Sequence, residues 1–121
     1  MLNINKFIFY FILFPLAEVI AFATVAGAET LRTKNFEIKI TRQCAEGNVI
    51  CNRVTYIGKD LKTGKSIRLT GKTVNNPKSY TFLGYEFSNG KYRYFVNTSN
   101  VLQVYKGRQL ILKEQGVSIE K

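Results

Sequence analysis

Thr81-Phe-Leu-Gly-Tyr-Glu-Phe-Ser-Asn-Gly-Lys-Tyr-Arg-Tyr-Phe-Val-Asn97, continued by Val101-Leu-Gln-Val-Tyr-Lys-Gly-Arg-Gln-Leu-Ile-Leu-Lys-Glu114, reads as a meander of antiparallel strands. Asn89-Gly90 is the strongest short-range hairpin signal in the chain, because a two-residue type I′ loop needs φ > 0 at both central positions. With that loop, Phe87 faces Tyr92, Glu86 faces Arg93, Tyr85 faces Tyr94 and Leu83 faces Val96. Aromatic pairs then fall on one face and an opposite-charge pair on the other, each contributing roughly 0.2–1 kcal/mol. A slip of one residue would turn the aromatic row outward, so the pattern selects its parity. A short loop over Asn97 to Val101 keeps Leu102 and Val104 beside Tyr94 and Val96. A loop at Lys106-Gly107-Arg108 sets Leu110 opposite Val104 and Leu112 opposite Leu102, with Gly107 in the left-handed position such loops use. Four strands thus share one apolar face.

Outward from this meander the chain stays β-like. Phe36-Glu-Ile-Lys-Ile-Thr41 alternates strictly, with Phe36, Ile38 and Ile40 on one side, and reads as a half-buried strand. Val54-Thr-Tyr-Ile57 and Ser66-Ile-Arg-Leu-Thr70 are rich in β-formers. Apolar residues on both parities of Val54 to Ile57 leave that register open. Gly58 and Gly71 are expected at bulges or bends. Asn75-Asn-Pro-Lys-Ser79 is the clear break before the meander. Glu29 to Lys34 reads as a loose polar leader, and Gln115 to Lys121 carries no strong pattern. Residues 29–121 show no sustained helical period. The expectation is an all-β domain of about seven short antiparallel strands, a meander of hairpins forming a small barrel or sandwich.

Residues 1–28 read as a secretory signal peptide. Lys6 supplies the positive end, Phe7 to Ala17 the apolar run, and Ala26-Gly27-Ala28 a small-residue cleavage signature. Cleavage after Ala23, or retention of the segment as an anchor, are the alternatives. Pro15 and Glu18 interrupt the run short of the ~20 apolar residues that a membrane span needs. After cleavage no span remains, and residues 29–121 form one small domain with one modest core. Lys6 and Glu18 leave together, so the net charge of +10 is kept. Such a charge favours anionic partners. Cys44 and Cys51 are an even pair in an exported chain, and they read as a structural disulfide closing a short loop with Gly47-Asn48 at its turn. The spacing is not C-x-x-C, and without His there is no zinc site to complete.

The chemistry-bearing residues are few. With no His, Ser-His and Cys-His nucleophile systems are excluded. The carboxylates Glu29, Glu37, Glu46, Asp60, Glu86, Glu114 and Glu120 sit on polar faces, in turns or near the ends, and no spacing among them demands an acid–base pair. Gly58-Lys-Asp-Leu-Lys-Thr-Gly-Lys-Ser66 superficially matches a phosphate-binding loop. Its first glycine stands one residue too far from Gly64, and a strand rather than a helix follows. No catalytic residue, cofactor or metal is expected. The candidate binding surface is Lys59, Lys62, Lys65, Arg68 and Lys72 on one hairpin, joined by Arg93, Phe95 and Tyr105 on the outer face of the meander. Clustered Lys suits a polyanion, but Lys is also the usual guard of a sheet edge, which is the simpler reading. Exposed aromatics beside Arg are what protein interfaces favour. Asn97-Thr98-Ser99 matches the N-glycosylation pattern and also suits a turn.

Cys51-Asn-Arg-Val-Thr-Tyr-Ile-Gly58, Thr63-Gly-Lys-Ser-Ile-Arg-Leu-Thr-Gly-Lys-Thr73 and Phe82-Leu-Gly-Tyr-Glu-Phe-Ser-Asn-Gly90 together resemble a group of short exported bacterial proteins. The resemblance covers Cys51 to Gly116, rests on turn and strand residues, and implies fold and compartment but no catalytic residues. In size, export and single disulfide the chain is similar to periplasmic lysozyme inhibitors and toxin-immunity proteins, a likeness of architecture only. The functional expectation is a non-catalytic binding protein of inhibitor or immunity type. It would act in the periplasm or outside the cell on an acidic protein, a toxin or envelope enzyme. The alternative is a basic binder of polyanions or envelope surfaces.

Overall fold

The computed structural model describes residues 27–119. The segment 1–28, read above as a signal peptide, therefore lies outside the described residues, apart from Gly27 and Ala28. Among the described residues nine antiparallel strands make one sheet: β1 Ala28–Arg32, β2 Phe36–Arg42, β3 Val54–Asp60, β4 Ser66–Asn75, β5 Phe82–Asn89, β6 Tyr92–Asn97, β7 Val101–Lys106, β8 Gln109–Gln115 and β9 Val117–Ile119. Their order is β8-β7-β6-β5-β4-β3-β2-β1-β9. β8 and β9 stand at opposite edges, yet only Gly116 separates them in sequence. The sheet must therefore curl until its edges meet, which makes it a nearly closed barrel.

Inward side chains alternate along each strand, as the pleat requires. Leu31, Ile38, Ile40, Val54, Tyr56, Phe87, Val96 and Leu102 are almost wholly buried. Tyr56 is the centre of this core, its ring 5.1 Å from Phe87 and 5.5 Å from Tyr94. The ambiguity of Val54 to Ile57 resolves with Val54, Tyr56 and Gly58 inward and Ile57 outward and partly buried.

The meander is present, with its first hairpin shifted by two residues. Phe87 faces Tyr94, Tyr85 faces Val96 and Asn89 faces Tyr92. The loop is Gly90-Lys91, and of its two residues only Gly90 has a positive φ, 60°. A single glycine at the first central position meets the type II′ requirement, which competes with type I′ for hairpins. An even shift keeps every side chain on its expected face, so the aromatic row stays inward. Glu86 and Arg93 are no longer directly opposite but still pair diagonally, with Nη1 3.3 Å from Oε2. Leu102 faces Val96 and Val104 faces Tyr94, as expected.

Two leucines leave the apolar face. The ladder between β4 and β5 slips between Val74 and Asn75, so Phe82 rather than Leu83 turns inward and Leu83 is exposed. A second irregularity between Val104 and Tyr105 puts Leu112 opposite Val104, Glu114 opposite Leu102 and Leu110 opposite Tyr105. Each bulge adds one unpaired residue and reverses the parity beyond it. Gly58 and Gly71, by contrast, stand in regular ladders. Their lack of a side chain serves close approach instead. A Cβ on Gly58 would lie 2.7 Å from Tyr56 Cε1, and one on Gly71 would run into the Glu86 carbonyl oxygen.

The presumed leader and tail are strands. β1 pairs with β2 and with β9, Thr30 facing Ile119. Across the seam, Asn35 in the β1–β2 turn donates to Glu114 of β8 from its backbone N (3.1 Å) and from Nδ2 (2.5 Å). Gly116 N donates to Asn100 O at 2.9 Å. Burial alone would raise the Glu114 carboxyl, but the hydrogen bonds from Asn35 and Thr33 and the charge of Lys34 outweigh it and hold the group below its usual value.

Cys44 and Cys51 form the expected disulfide, with Cα atoms 5.8 Å apart. It staples the end of β2 to the approach of β3. Its turn sits one residue earlier than expected: Asn48 N donates to Ala45 O, with Gly47 at φ 95° in the third position, a type II requirement.

Two outcomes follow. Cys44→Ser with Cys51→Ser should lower the unfolding free energy in urea by about 2–3 kcal/mol, from the loop length alone. An unchanged midpoint would show that the staple contributes nothing. Because the Glu114 value is depressed on folding, its contribution is present above the unfolded carboxylate range near pH ~4.3 and is lost as pH falls through the folded value. The stability gap between wild type and Glu114→Gln should therefore narrow on acidification. A gap that stays constant from pH 7 to pH 3 would refute this.

Candidate functional site

The barrel has two unlike ends. Hairpin loops alternate, so the β2–β3, β4–β5 and β6–β7 loops crowd one end and the β3–β4, β5–β6 and β7–β8 loops the other.

The first end is plugged. Arg42 lies over the rings of Phe82 and Tyr85, 5.0 and 5.4 Å from their centroids. Its Nε donates to Tyr85 Oη at 3.0 Å and its Nη1 to Asn48 O in the disulfide loop at 3.0 Å. Burial raises the Tyr85 phenol above the usual tyrosine range, against the lowering effect of the Arg42 hydrogen bond. Cys51 N and O pair with Thr73 Oγ1 and N, fixing the stapled loop to β4. This loop carries Val49 and Ile50, which are 50% and 48% exposed, and the neighbouring β4–β5 loop carries Tyr80, 58% exposed. Asn75 Nδ2 donates to both Val49 O and Tyr80 O, so the two loops are tied together.

Tyr80 holds φ at 64°, a conformation that costs a bulky residue energy. The chain itself provides a control. The β3–β4 loop, Asp60 to Lys65, and the β4–β5 loop, Asn76 to Thr81, share one hydrogen-bond pattern. In each the first N donates to the last O and the fifth N to the first O. In each the first side chain, Asp60 Oδ1 or Asn76 Oδ1, accepts from the third and fourth N. The fifth, left-handed position is Gly64 in one loop and Tyr80 in the other. The loop fold asks for glycine, so the ring of Tyr80 is carried at a cost in backbone strain.

The second end is open. A cavity of about 560 Å³ enters the barrel there, lined in its depth by Tyr56, Tyr94, Leu102, Val104 and Leu112 and at its mouth by Phe36, Asp60, Lys65, Ile67, Asn89 and Tyr92. One inward row explains the change of polarity. Tyr56, Tyr94, Val104 and Leu112 are a layer of apolar and aromatic groups. Nearer the mouth, Asp60, Lys65, Asn89, Tyr92 and Lys106 hold the same parity. Gly58 makes the room, since the Tyr56 ring lies where its side chain would be. Lys62, Lys65, Lys91, Lys106 and Arg108 are all exposed on these hairpin tips, and none belongs to an ion pair among the described residues. Asp60 is the carboxylate beside them, and its Oδ1 is engaged by the loop backbone.

The candidate surface read from sequence is only partly brought together. Lys62 and Lys65 share the open rim. Lys59, Arg68 and Lys72 are spread along the outer face of β3 and β4, with Lys72 opposite Glu86. Arg93, Phe95 and Tyr105 do meet on the outer face, but each packs locally. The Arg93 guanidinium sits 4.6 Å above the Tyr105 ring, and the Phe95 ring covers Gly84. Among the described residues no three His, Cys, Asp or Glu side chains gather where a metal could be held. Sequence reasoning missed Val49, Ile50 and Tyr80 at the plugged end and Gly58, Asn89 and Lys106 at the open one. Gly58 two residues from an inward Tyr was the available signal for the cavity. No family model, curated protein or solved structure matches this chain.

Gly58→Ala tests the packing that shapes the cavity. The Tyr56 ring is held between Phe87 and Tyr94 and has little freedom to yield. The substitution should destabilise by about 1–3 kcal/mol, the usual cost of overpacking. A neutral effect on the thermal midpoint would show that the ring can move aside.

Proposed function

We propose that this chain is a non-catalytic binding protein of inhibitor or immunity type, exported to the bacterial periplasm, that engages an acidic protein through the loops at its plugged end. The disulfide is consistent with an oxidising compartment outside the cytoplasm. The observation that carries the reading is Tyr80. It is an exposed aromatic side chain held in a left-handed backbone where the twin loop uses Gly64. Strain at an exposed position is a pointer to function. Tyrosine is enriched among the few residues that dominate interface energy. The stapled loop keeps Val49 and Ile50 beside it, so little ordering entropy remains to be lost on binding. A net charge of +10 steers such a surface toward an acidic partner and away from a basic one. Export, periplasm, partner class and lack of catalysis are all part of this proposal.

The alternative, polyanion binding through Lys59, Lys62, Lys65, Arg68 and Lys72, draws on the same charge. Counterion release would then make affinity fall by about one power of salt concentration per neutralised phosphate. A contact centred on Tyr80 and Ile50 should be much less salt-sensitive.

The deciding substitution is Tyr80→Gly, which relieves the strain while removing the ring. Folding stability should change by less than ~1 kcal/mol, because relief of strain and the added chain entropy of glycine oppose each other. Capture of a stoichiometric acidic protein from periplasmic extract should fall at least tenfold. Failure of the wild-type protein to capture one, or equal capture by the variant, would overturn the reading.

A further inference from the structure

The open end carries a second inference, independent of the docking surface at the plugged end. We propose that the barrel cavity is a small-ligand site for an amphipathic anion. The apolar body would sit among Tyr56, Tyr94, Leu102, Val104 and Leu112, and a carboxylate or phosphate head would lie between Lys65 and Lys106 at the mouth.

Four observations carry this. The cavity, at about 560 Å³, falls within the range of small-molecule sites, and mouths of β-barrels are a recurrent place for them. Its depth is apolar and aromatic, which suits a hydrocarbon or ring system. Its rim is cationic: Lys65 and Lys106 hold the inward parity, and Lys62, Lys91 and Arg108 stand on the surrounding hairpin tips. With no ion pair among the described residues to neutralise them, these cations create a positive field over an opening with low-dielectric walls, an arrangement that draws anions in.

The fourth observation is the hydroxyl of Tyr56. The residue is 1% exposed, and no hydrogen bond among the described residues uses its Oη. No sealed side-chain oxygen or nitrogen lacks a partner among those residues, so this hydroxyl reaches the cavity space. Burial keeps the phenol protonated, first through desolvation and further through Tyr94 and Glu114. It is therefore a hydrogen-bond donor available to a polar atom in the cavity rather than a second anion. A cation in the cavity would face the rim charges, and a wholly apolar molecule would leave both the rim lysines and this donor unused.

Calorimetric titration with a matched series of probes below their micelle concentrations tests the proposal: dodecanoate, dodecyl phosphate, dodecanol and dodecyltrimethylammonium. The two anions should bind one per chain. Dodecanol should bind at least tenfold more weakly and the cation not at all. Lys65→Gln with Lys106→Gln should weaken the anions about tenfold and leave dodecanol unchanged. Tyr56→Phe should weaken binding severalfold, and Ile67→Trp, at the partly exposed mouth, should block it. In the wild-type protein, dodecanoate should shift the NMR signals of Tyr94 and Leu112, which keeps the test valid if a variant fails to fold. Vesicles containing phosphatidylglycerol separate a free amphiphile from a membrane surface. Vesicle binding without dodecanoate binding overturns the cavity site. So does equal affinity for the cation, or undiminished binding by a folded Ile67→Trp variant. Tyr80→Gly should leave dodecanoate binding intact, so failure here and failure of the docking surface are read separately.

Discussion

Closure of the sheet at Gly116 is the constraint on which the other features rest. A nine-stranded antiparallel sheet left open would present two edges of unpaired backbone groups. Here one continuous run of chain serves both edges. β8 completes the meander, Gly116 turns the chain where a side chain would meet Asn100 O, and β9 continues on the far side against β1. Glu114 then clamps the β1–β2 turn across the gap between them. With the edges joined, the inward faces of β1 to β8 enclose a common interior. The plugged end, the open end and the cavity exist only because that interior is enclosed.

What could be read in the sequence was what depends on neighbouring residues. The parity of Tyr85, Phe87, Tyr94 and Val96, the pairing of Val96 with Leu102, and the Cys44–Cys51 bridge are all set by spacings of a few residues. The loop lies one residue later than expected, at Gly90-Lys91, which shifts the pairing by two, because Asn-Gly and Gly-Lys are both acceptable loop pairs. Alternation decides the face and does not choose between them. The slips at Leu83 and Leu110 were invisible because a bulge is selected by curvature, which no local pattern records. β1 and β9 were missed for a related reason. Leu31 is the one deeply buried residue of β1, which leaves no alternation to read, and β9 has only three residues and a partner more than eighty residues away.

The functional surfaces follow the same division. The basic hairpin was legible as composition, yet the fold distributes its cations between a rim and an outer face. Arg93, Phe95 and Tyr105 were rightly placed outward, where each has a local packing role. Tyr80 could be recognised only by comparing two loops whose hydrogen bonds match while their left-handed residues differ. The cavity required knowing that Tyr56 and Gly58 share the inner face, which ambiguous alternation in β3 concealed.

The neighbouring positions of β1 and β9 bear on how the barrel forms. Pairing Thr30 with Ile119 closes a loop of almost the entire described chain, the most distant contact in the sheet. Loop-closure entropy makes such a contact the costliest to establish before others reward it, whereas the hairpins from β5 to β8 need only short loops. The expected sequence is a meander that forms early and a seam that zips last. The same geometry brings the outermost described strands side by side. A short linker could therefore join them, and the chain could be reopened at an exposed hairpin tip such as Gly107, giving a circular permutant with the same barrel.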